Sequence, residues 1–133
     1  MNIAVVGTGY EGLVTGTCLA ETGNNVTCVD IDKKKVEQLR NGEIPIYEPH
    51  LDNLFQRNIK QERLFFTTNL NEAVEEAKLI FLALPTPPGE DGSADLSYVH
   101  CIYCLFKVFF NIIYDIIELK FTHFCMHRQR HYS

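Results

Sequence analysis

The sequence lacks an excess of positive charge: twelve Lys and Arg stand against seventeen Asp and Glu in 133 residues, a formal net charge of −5. Nucleic-acid backbones are bound by clustered cations that displace counterions, so this balance excludes a nucleic-acid partner. A leader pattern is also missing. Met1-Asn2-Ile3-Ala4-Val5-Val6-Gly7 carries no basic residue, and its apolar run gives way to glycine too soon for a signal peptide, so the expected compartment is the cytoplasm. The five cysteines cannot all pair with one another. Cys18 and Cys28 fall in helical and strand patterns, where a reduced thiol packs as a small hydrophobe and needs no redox role. No repeat occurs at solenoid periods. With 46% apolar and 22% charged residues the chain is not a disordered one, and its length has room for one domain.

What is present alternates between two patterns. Ile3-Ala4-Val5-Val6 is a short, partly β-branched run of the kind buried on both faces of a parallel sheet, which predicts a strand over residues 2–6. From Gly12 to about Thr22 the small or apolar positions Leu13, Gly16, Thr17 and Ala20 recur at helical spacing, and Gly23-Asn24 supplies the stop. A strand follows at Val26–Asp30. Asp32 then caps a helix reaching Arg40, with Val36 and Leu39 inward and Asn41-Gly42 closing it. Residues 43–49 form an irregular connector, and Leu51, Leu54 and Phe55 predict a third, short helix. Leu64–Thr68 reads as a strand, residues 72–77 as a helix capped by Asn69 or Asn71, and Leu79–Leu84 as the most apolar strand, ended by Pro85. Strands separated by helices in this order specify right-handed parallel crossovers, so the expected class is α/β, a partial doubly wound sheet of order 3-2-1-4.

Gly7-Thr8-Gly9-Tyr10-Glu11-Gly12 fits G-x-G-x-x-G. The pattern is weak alone, but here it follows a predicted strand and opens a predicted helix, and the acidic Asp30 ends the next strand, as a Rossmann dinucleotide site requires. Gly7 permits the tight turn, Gly9 lets backbone approach a pyrophosphate, and Gly12 lets helix and strand pack closely, with the helix amides facing the phosphates. Tyr10 and Glu11 lie in the same turn and join the candidate cofactor-binding residues. Asp30 can accept from ribose hydroxyls and would repel a 2′-phosphate, so NAD is expected over NADP. The run Lys33-Lys34-Lys35 opposes that preference if it faces the cofactor, although such runs are more often the solvated first turns of a helix.

Residues 1–98 resemble the UDP-glucose 6-dehydrogenase family, within the wider group of nucleotide-sugar dehydrogenases. The resemblance is carried by Val5-Val6-Gly7-Thr8-Gly9-Tyr10, Gly12-Leu13-Val14-Thr15-Gly16, Cys28-Val29-Asp30-Ile31-Asp32, Asn41-Gly42-Glu43-Ile44-Pro45-Ile46-Tyr47-Glu48-Pro49 and Pro85-Thr86-Pro87-Pro88-Gly89. The connector and the Pro-Thr-Pro are more specific than the glycine fingerprint. The resemblance implies that Asp30 holds the adenosine ribose, that Lys35 sits beside it, and that Thr86 touches the cofactor at the strand ends. It also implies the family reaction, oxidation of the C6 alcohol of UDP-glucose to the carboxylate by NAD in two hydride transfers through a cysteine thioester. The nucleophile, its partners, the dimer helix and the sugar-nucleotide domain all lie downstream in the family, so no catalytic residue is assigned. Glu11 stands where the family usually has Val, and His50 where it has Gly. A GDP-mannose or UDP-N-acetylmannosamine 6-dehydrogenase shares much of this half. A second reading, from a different class, makes the chain a non-catalytic nucleotide-binding or interaction fragment.

Composition changes after Val99. Residues 101–133 contain no Gly, Pro or Ala and are crowded with Ile, Phe, Tyr, Cys and His. They read as an atypical tail foreign to the incomplete Rossmann unit of residues 1–100, the front of such an enzyme whose remainder has been replaced or lost. Lys107, Asn111, Asp115 and Glu118 fall on one stripe of a helix and make a membrane span unfavourable. Cys101, Cys104, His123, Cys125 and His127 suggest zinc, but the interval from Cys104 to His123 exceeds that of a finger, so no metal is expected.

Overall fold

The computed structural model describes residues 1–102, of which Met1–His100 form one compact unit. The calls on the tail stripe and on Cys104, His123, Cys125 and His127 lie outside the described residues. Eight elements alternate along the unit: β1 (Asn2–Val6), α1 (Tyr10–Glu21), β2 (Asn25–Val29), α2 (Lys33–Arg40), α3 (Leu51–Lys60), β3 (Leu64–Thr67), α4 (Leu70–Glu76) and β4 (Leu79–Leu82). The strands form one parallel sheet of order β3-β2-β1-β4, with Val5 of β1 opposite Cys28 of β2 and Phe81 of β4. The fold is the expected α/β one, and no helix of the described residues is long and apolar enough to cross a membrane.

Side-chain alternation along β1 divides the core between the two sheet faces. Ile3 and Val5 join Leu13, Val26, Cys28, Val36, Leu39, Phe55, Leu64 and Phe66 on the face covered by α1, α2 and α3. Ala4 and Val29 meet Ala73 of α4 on the other. Phe55 and Phe66 pack with ring centroids 5.6 Å apart, tying α3 to β3. A buried polar group strengthens that side: the Asn58 amide donates to Glu21 Oε2 at 2.7 Å while Arg57 pairs with Glu21 Oε1 at 2.5 Å, joining α3 to the end of α1.

Several boundaries differ from the sequence expectation. α1 begins at Tyr10 rather than Gly12, because its cap is Gly9 and has no side chain to announce it. α3 runs to Lys60 because Gln56, Arg57 and Lys60 are on its exposed side, where the apolar pattern is silent. β4 stops at Leu82, although the apolar run continues to Leu84. All of β4 is only half-buried, consistent with its place at the sheet edge. Cys28 is fully buried, and burial pushes its thiol up to about 12; Cys18, expected to pack as a hydrophobe, is exposed on α1.

Three helices end in the same Schellman geometry. After α1 and α2 the left-handed position is glycine, with Gly23 donating to Ala20 O at 2.9 Å and Gly42 to Leu39 O at 3.1 Å. After α3 it is Glu62, at φ 53, donating to Ile59 O at 3.0 Å while Arg63 donates to Asn58 O at 3.0 Å. A side chain in the left-handed region costs more than glycine loses in chain entropy. Glu62→Gly should therefore stabilise the chain by about 0.5 to 1 kcal/mol in urea denaturation; a loss of stability would show that the Glu62 side chain contributes more than its backbone costs. His50 is the second case: at φ 68 it caps α3 in the left-handed region, which gives a physical reason for the glycine that the family usually places there.

Candidate functional site

The turn between β1 and α1 is built by three glycines that meet three different surroundings. Gly7 has φ 107, and a Cβ there would stand 2.2 Å from Ala83 O, so the chain leaving β4 closes against this turn. A Cβ on Gly12 would stand 2.0 Å from Gly7 O, which is why α1 can start so close to the strand it follows. A Cβ on Gly9 would meet nothing within 4 Å. The first two glycines are required by the protein's own packing. The third leaves a space that the described residues do not fill.

Gly9 caps α1 in an extended conformation without a side-chain hydrogen bond, so the first-turn amides are not capped by that residue. The first-turn amides and the helix dipole at such a terminus favour an anion. Glu11 is exposed in this first turn, and Tyr10, half-exposed, donates its hydroxyl to Glu48 Oε2. That hydrogen bond ties the connector to the mouth of the turn. The connector is held elsewhere too, by Ile44 and Ile46 against the core and by the Gln56 amide on Gly42 O at 2.6 Å.

Asp30 lies just beyond β2, its amide donating to Thr67 O at 3.1 Å. Its Oδ2 accepts from the Thr8 amide at 3.2 Å, the Thr8 hydroxyl at 2.5 Å and Lys35 Nζ at 3.2 Å; its Oδ1 accepts from the Asp32 amide at 3.0 Å. Partial burial pushes the Asp30 carboxyl up, but the hydrogen bonds from Thr8 and Asp32 and the Lys35 ammonium outweigh it, so the group titrates below its ordinary value. Asp30 is ionised at neutral pH. Asp32 is free to orient α2 because its own carboxylate accepts from the amides of Lys34 and Lys35.

Gly7, Gly9, Tyr10, Glu11 and Gly12 thus share one turn, and Thr8 joins it to Asp30 and Lys35. Lys33 and Lys34 are exposed, as in the solvated first turn of a helix, whereas Lys35 turns in toward the Asp30 carboxylate. Thr86 is half-buried on the segment following Ala83, whose amide donates to Val6 O at 2.8 Å beside the turn. Sequence reasoning missed Thr8 as a participant. It occupies a position that the glycine pattern leaves open, and its only signal is a hydroxyl type next to a turn whose distant partner is a carboxylate.

Comparison with known proteins gives the same region a context. The profile of the UDP-glucose/GDP-mannose dehydrogenase family, NAD binding domain, matches residues 1–109. The UDP-glucose 6-dehydrogenase TuaD of Bacillus subtilis is 52% identical over 97 residues, which is 73% of this chain and 21% of that protein. Among solved structures, a UDP-glucose dehydrogenase from the archaeon Pyrobaculum islandicum aligns with a TM-score of 0.70 and 40% identity, covering 74% of this chain and 23% of that one. A GDP-mannose dehydrogenase from Pseudomonas aeruginosa aligns with a TM-score of 0.72 and 34% identity, covering 77% and 23%. The chain therefore spans about a fifth of the length of these relatives.

Proposed function

Because the chain belongs to the UDP-glucose/GDP-mannose dehydrogenase family, as its NAD-binding domain, we propose that it is the cofactor-holding part of a UDP-glucose 6-dehydrogenase and turns over nothing by itself. The observation that carries the cofactor half of this reading is the contrast among the glycines. A Cβ on Gly7 or Gly12 would stand 2.2 or 2.0 Å from backbone, whereas one on Gly9 would meet none of the described residues within 4 Å, at a helix N-terminus suited to a pyrophosphate. Gly9, Tyr10, Glu11 and Gly12 would line the pyrophosphate, Asp30 and Lys35 the adenosine ribose, and Thr86 the strand ends. NAD, when bound, supplies the hydride acceptor; these residues hold and orient it.

The sugar nucleotide is bound outside this chain's assigned residues, in a longer enzyme of this type. UDP-glucose is favoured over GDP-mannose by the identity of 52% to the Bacillus subtilis relative against 34% to the GDP-mannose enzyme. The test is a graft: residues 1–98 replacing their counterparts in the Bacillus subtilis protein, assayed for NADH with UDP-glucose. NADH from UDP-glucose by the graft and none from the isolated chain is the expected pair of results. A folded graft that is inert, or an isolated chain that turns over, contradicts the proposal.

Glu11 should oppose the bound pyrophosphate, since a carboxylate in the first turn competes for the same amide and dipole field. Glu11→Val should tighten NAD by about fivefold at low salt, the worth of roughly 1 kcal/mol for a solvent-screened charge pair. The gain should shrink as salt rises. Unchanged or weaker binding in titrations at two salt concentrations would show that Glu11 points away from the phosphates.

A further inference from the structure

The Asp30 carboxylate is usually credited with choosing NAD by charge alone, but here its charge is partly cancelled. Lys35 Nζ stands 3.2 Å from Oδ2, and an ammonium in that place would also welcome a 2′-phosphate. What remains to discriminate is geometry. Oδ2 receives three donors, two of them from Thr8, whereas Oδ1 receives only the Asp32 amide. A carboxylate offers about four lone-pair sites, so its spare capacity lies on Oδ1. A ribose hydroxyl can donate to that oxygen, and a phosphate ester has nothing comparable to give.

Taking the turn as the NAD site proposed above, we propose that Thr8 is a positioning residue that fixes the Asp30 carboxylate with Oδ1 toward the ribose, and so sets the preference for NAD over NADP. Thr8 is 1% exposed, so no water competes for its hydroxyl, and its amide and hydroxyl together grip one oxygen from one side. A strand-end aspartate with only one such donor can rotate about its last torsion. Two donors from the same residue, opposed by the Asp32 amide on the other oxygen, fix the plane. Lys35 is the half-exposed partner on the outer side and is the donor that can move when cofactor arrives.

Thr8→Val keeps the shape and removes the hydroxyl, and Thr8→Ser keeps the hydroxyl. In the whole chain, Thr8→Val should weaken NAD by about tenfold, the factor carried by one charge-assisted hydrogen bond, and leave NADP unchanged. Thr8→Ser should behave as the wild type. Loss of folding would lower both affinities together, so the ratio separates positioning from stability. A second readout needs no cofactor: the Asp30 carboxyl, followed by carbon NMR, should titrate higher in Thr8→Val than in the wild type or Thr8→Ser, with Lys35 the ammonium facing it and the Asp32 amide still in place. An unmoved Asp30 titration, or equal loss of both cofactors, overturns the role of Thr8. A moved Asp30 titration in Thr8→Val, beside a wild-type chain that binds neither cofactor, instead overturns the NAD reading of the turn.

Discussion

Replacing Gly9 by Ala is expected to leave the chain as stable as before and to remove most of its affinity for NAD. Gly9 has φ −68 and ψ −171, a conformation open to any residue, and the added methyl would meet no atom of the described residues within 4 Å. At a helix N-cap alanine is less favourable than glycine by about 0.5 to 1 kcal/mol, and the reduced entropy of the unfolded chain offsets a similar amount. Urea midpoints should therefore agree within about 0.5 kcal/mol. The methyl does fill the space through which a pyrophosphate reaches the first-turn amides. Losing two such charge-assisted hydrogen bonds corresponds to about 3 kcal/mol, or roughly a hundredfold in Kd. A Gly9→Ala chain that binds NAD normally would show that the cofactor does not cross this turn.

Gly12→Ala should do the reverse of what helix propensity alone suggests. Alanine in a helix is favoured over glycine by about 1 kcal/mol. At this position, however, the new Cβ would lie 2.0 Å from Gly7 O and 2.9 Å from Gly7 C, both backbone atoms that no rotamer change can move. Either α1 or the turn must shift, and both are packed: Leu13 of α1 is buried and Gly7 is itself against Ala83 O. Overpacking against backbone in this way should cost about 3 kcal/mol, or on the order of 15 °C in Tm for a domain of this size. NAD binding should fall with it. Calorimetric melting of Gly12→Ala beside Gly9→Ala separates the two glycine roles; equal stability of the pair would mean that α1 stands farther from the turn than the structure places it.

The fold was legible because its elements announce themselves in short-range chemistry. Strands covered on both faces read as apolar runs, and the caps are side chains or glycines of the expected type: Asp32 on α2, Asn69 on α4, Gly23 and Gly42 beyond α1 and α2. The elements that escaped are those whose cause is long-range. Ala83 and Leu84 are apolar yet outside β4, and it is the close approach of Ala83 to Gly7, a contact between distant segments, that uses the first of them. Glu62 and His50 hold glycine-like conformations with ordinary side chains, so the sequence hides both.

The candidate site divides in the same way. The three glycines and Asp30 were readable because the spacing of the fingerprint is itself the local geometry. The structure places Lys35 at the Asp30 carboxylate, while Lys33 and Lys34 stay in solvent, a division that a run of identical residues cannot reveal. Thr8 and Glu48 were silent for a different reason. Each matters through one hydrogen bond to a residue far away in the chain, Asp30 for Thr8 and Tyr10 for Glu48, and such pairs leave no periodic mark.

Calorimetric titration of the chain with NAD and with NADP, under one buffer and salt concentration, tests the central claim most directly. Tighter binding of NAD is expected, because Asp30 Oδ1, which accepts from the Asp32 amide, has a lone pair left for a ribose hydroxyl, and a 2′-phosphate ester has no such proton to give it. Equal affinity, or tighter binding of NADP, would contradict it and would make Lys35, not Asp30, the group that governs the pocket.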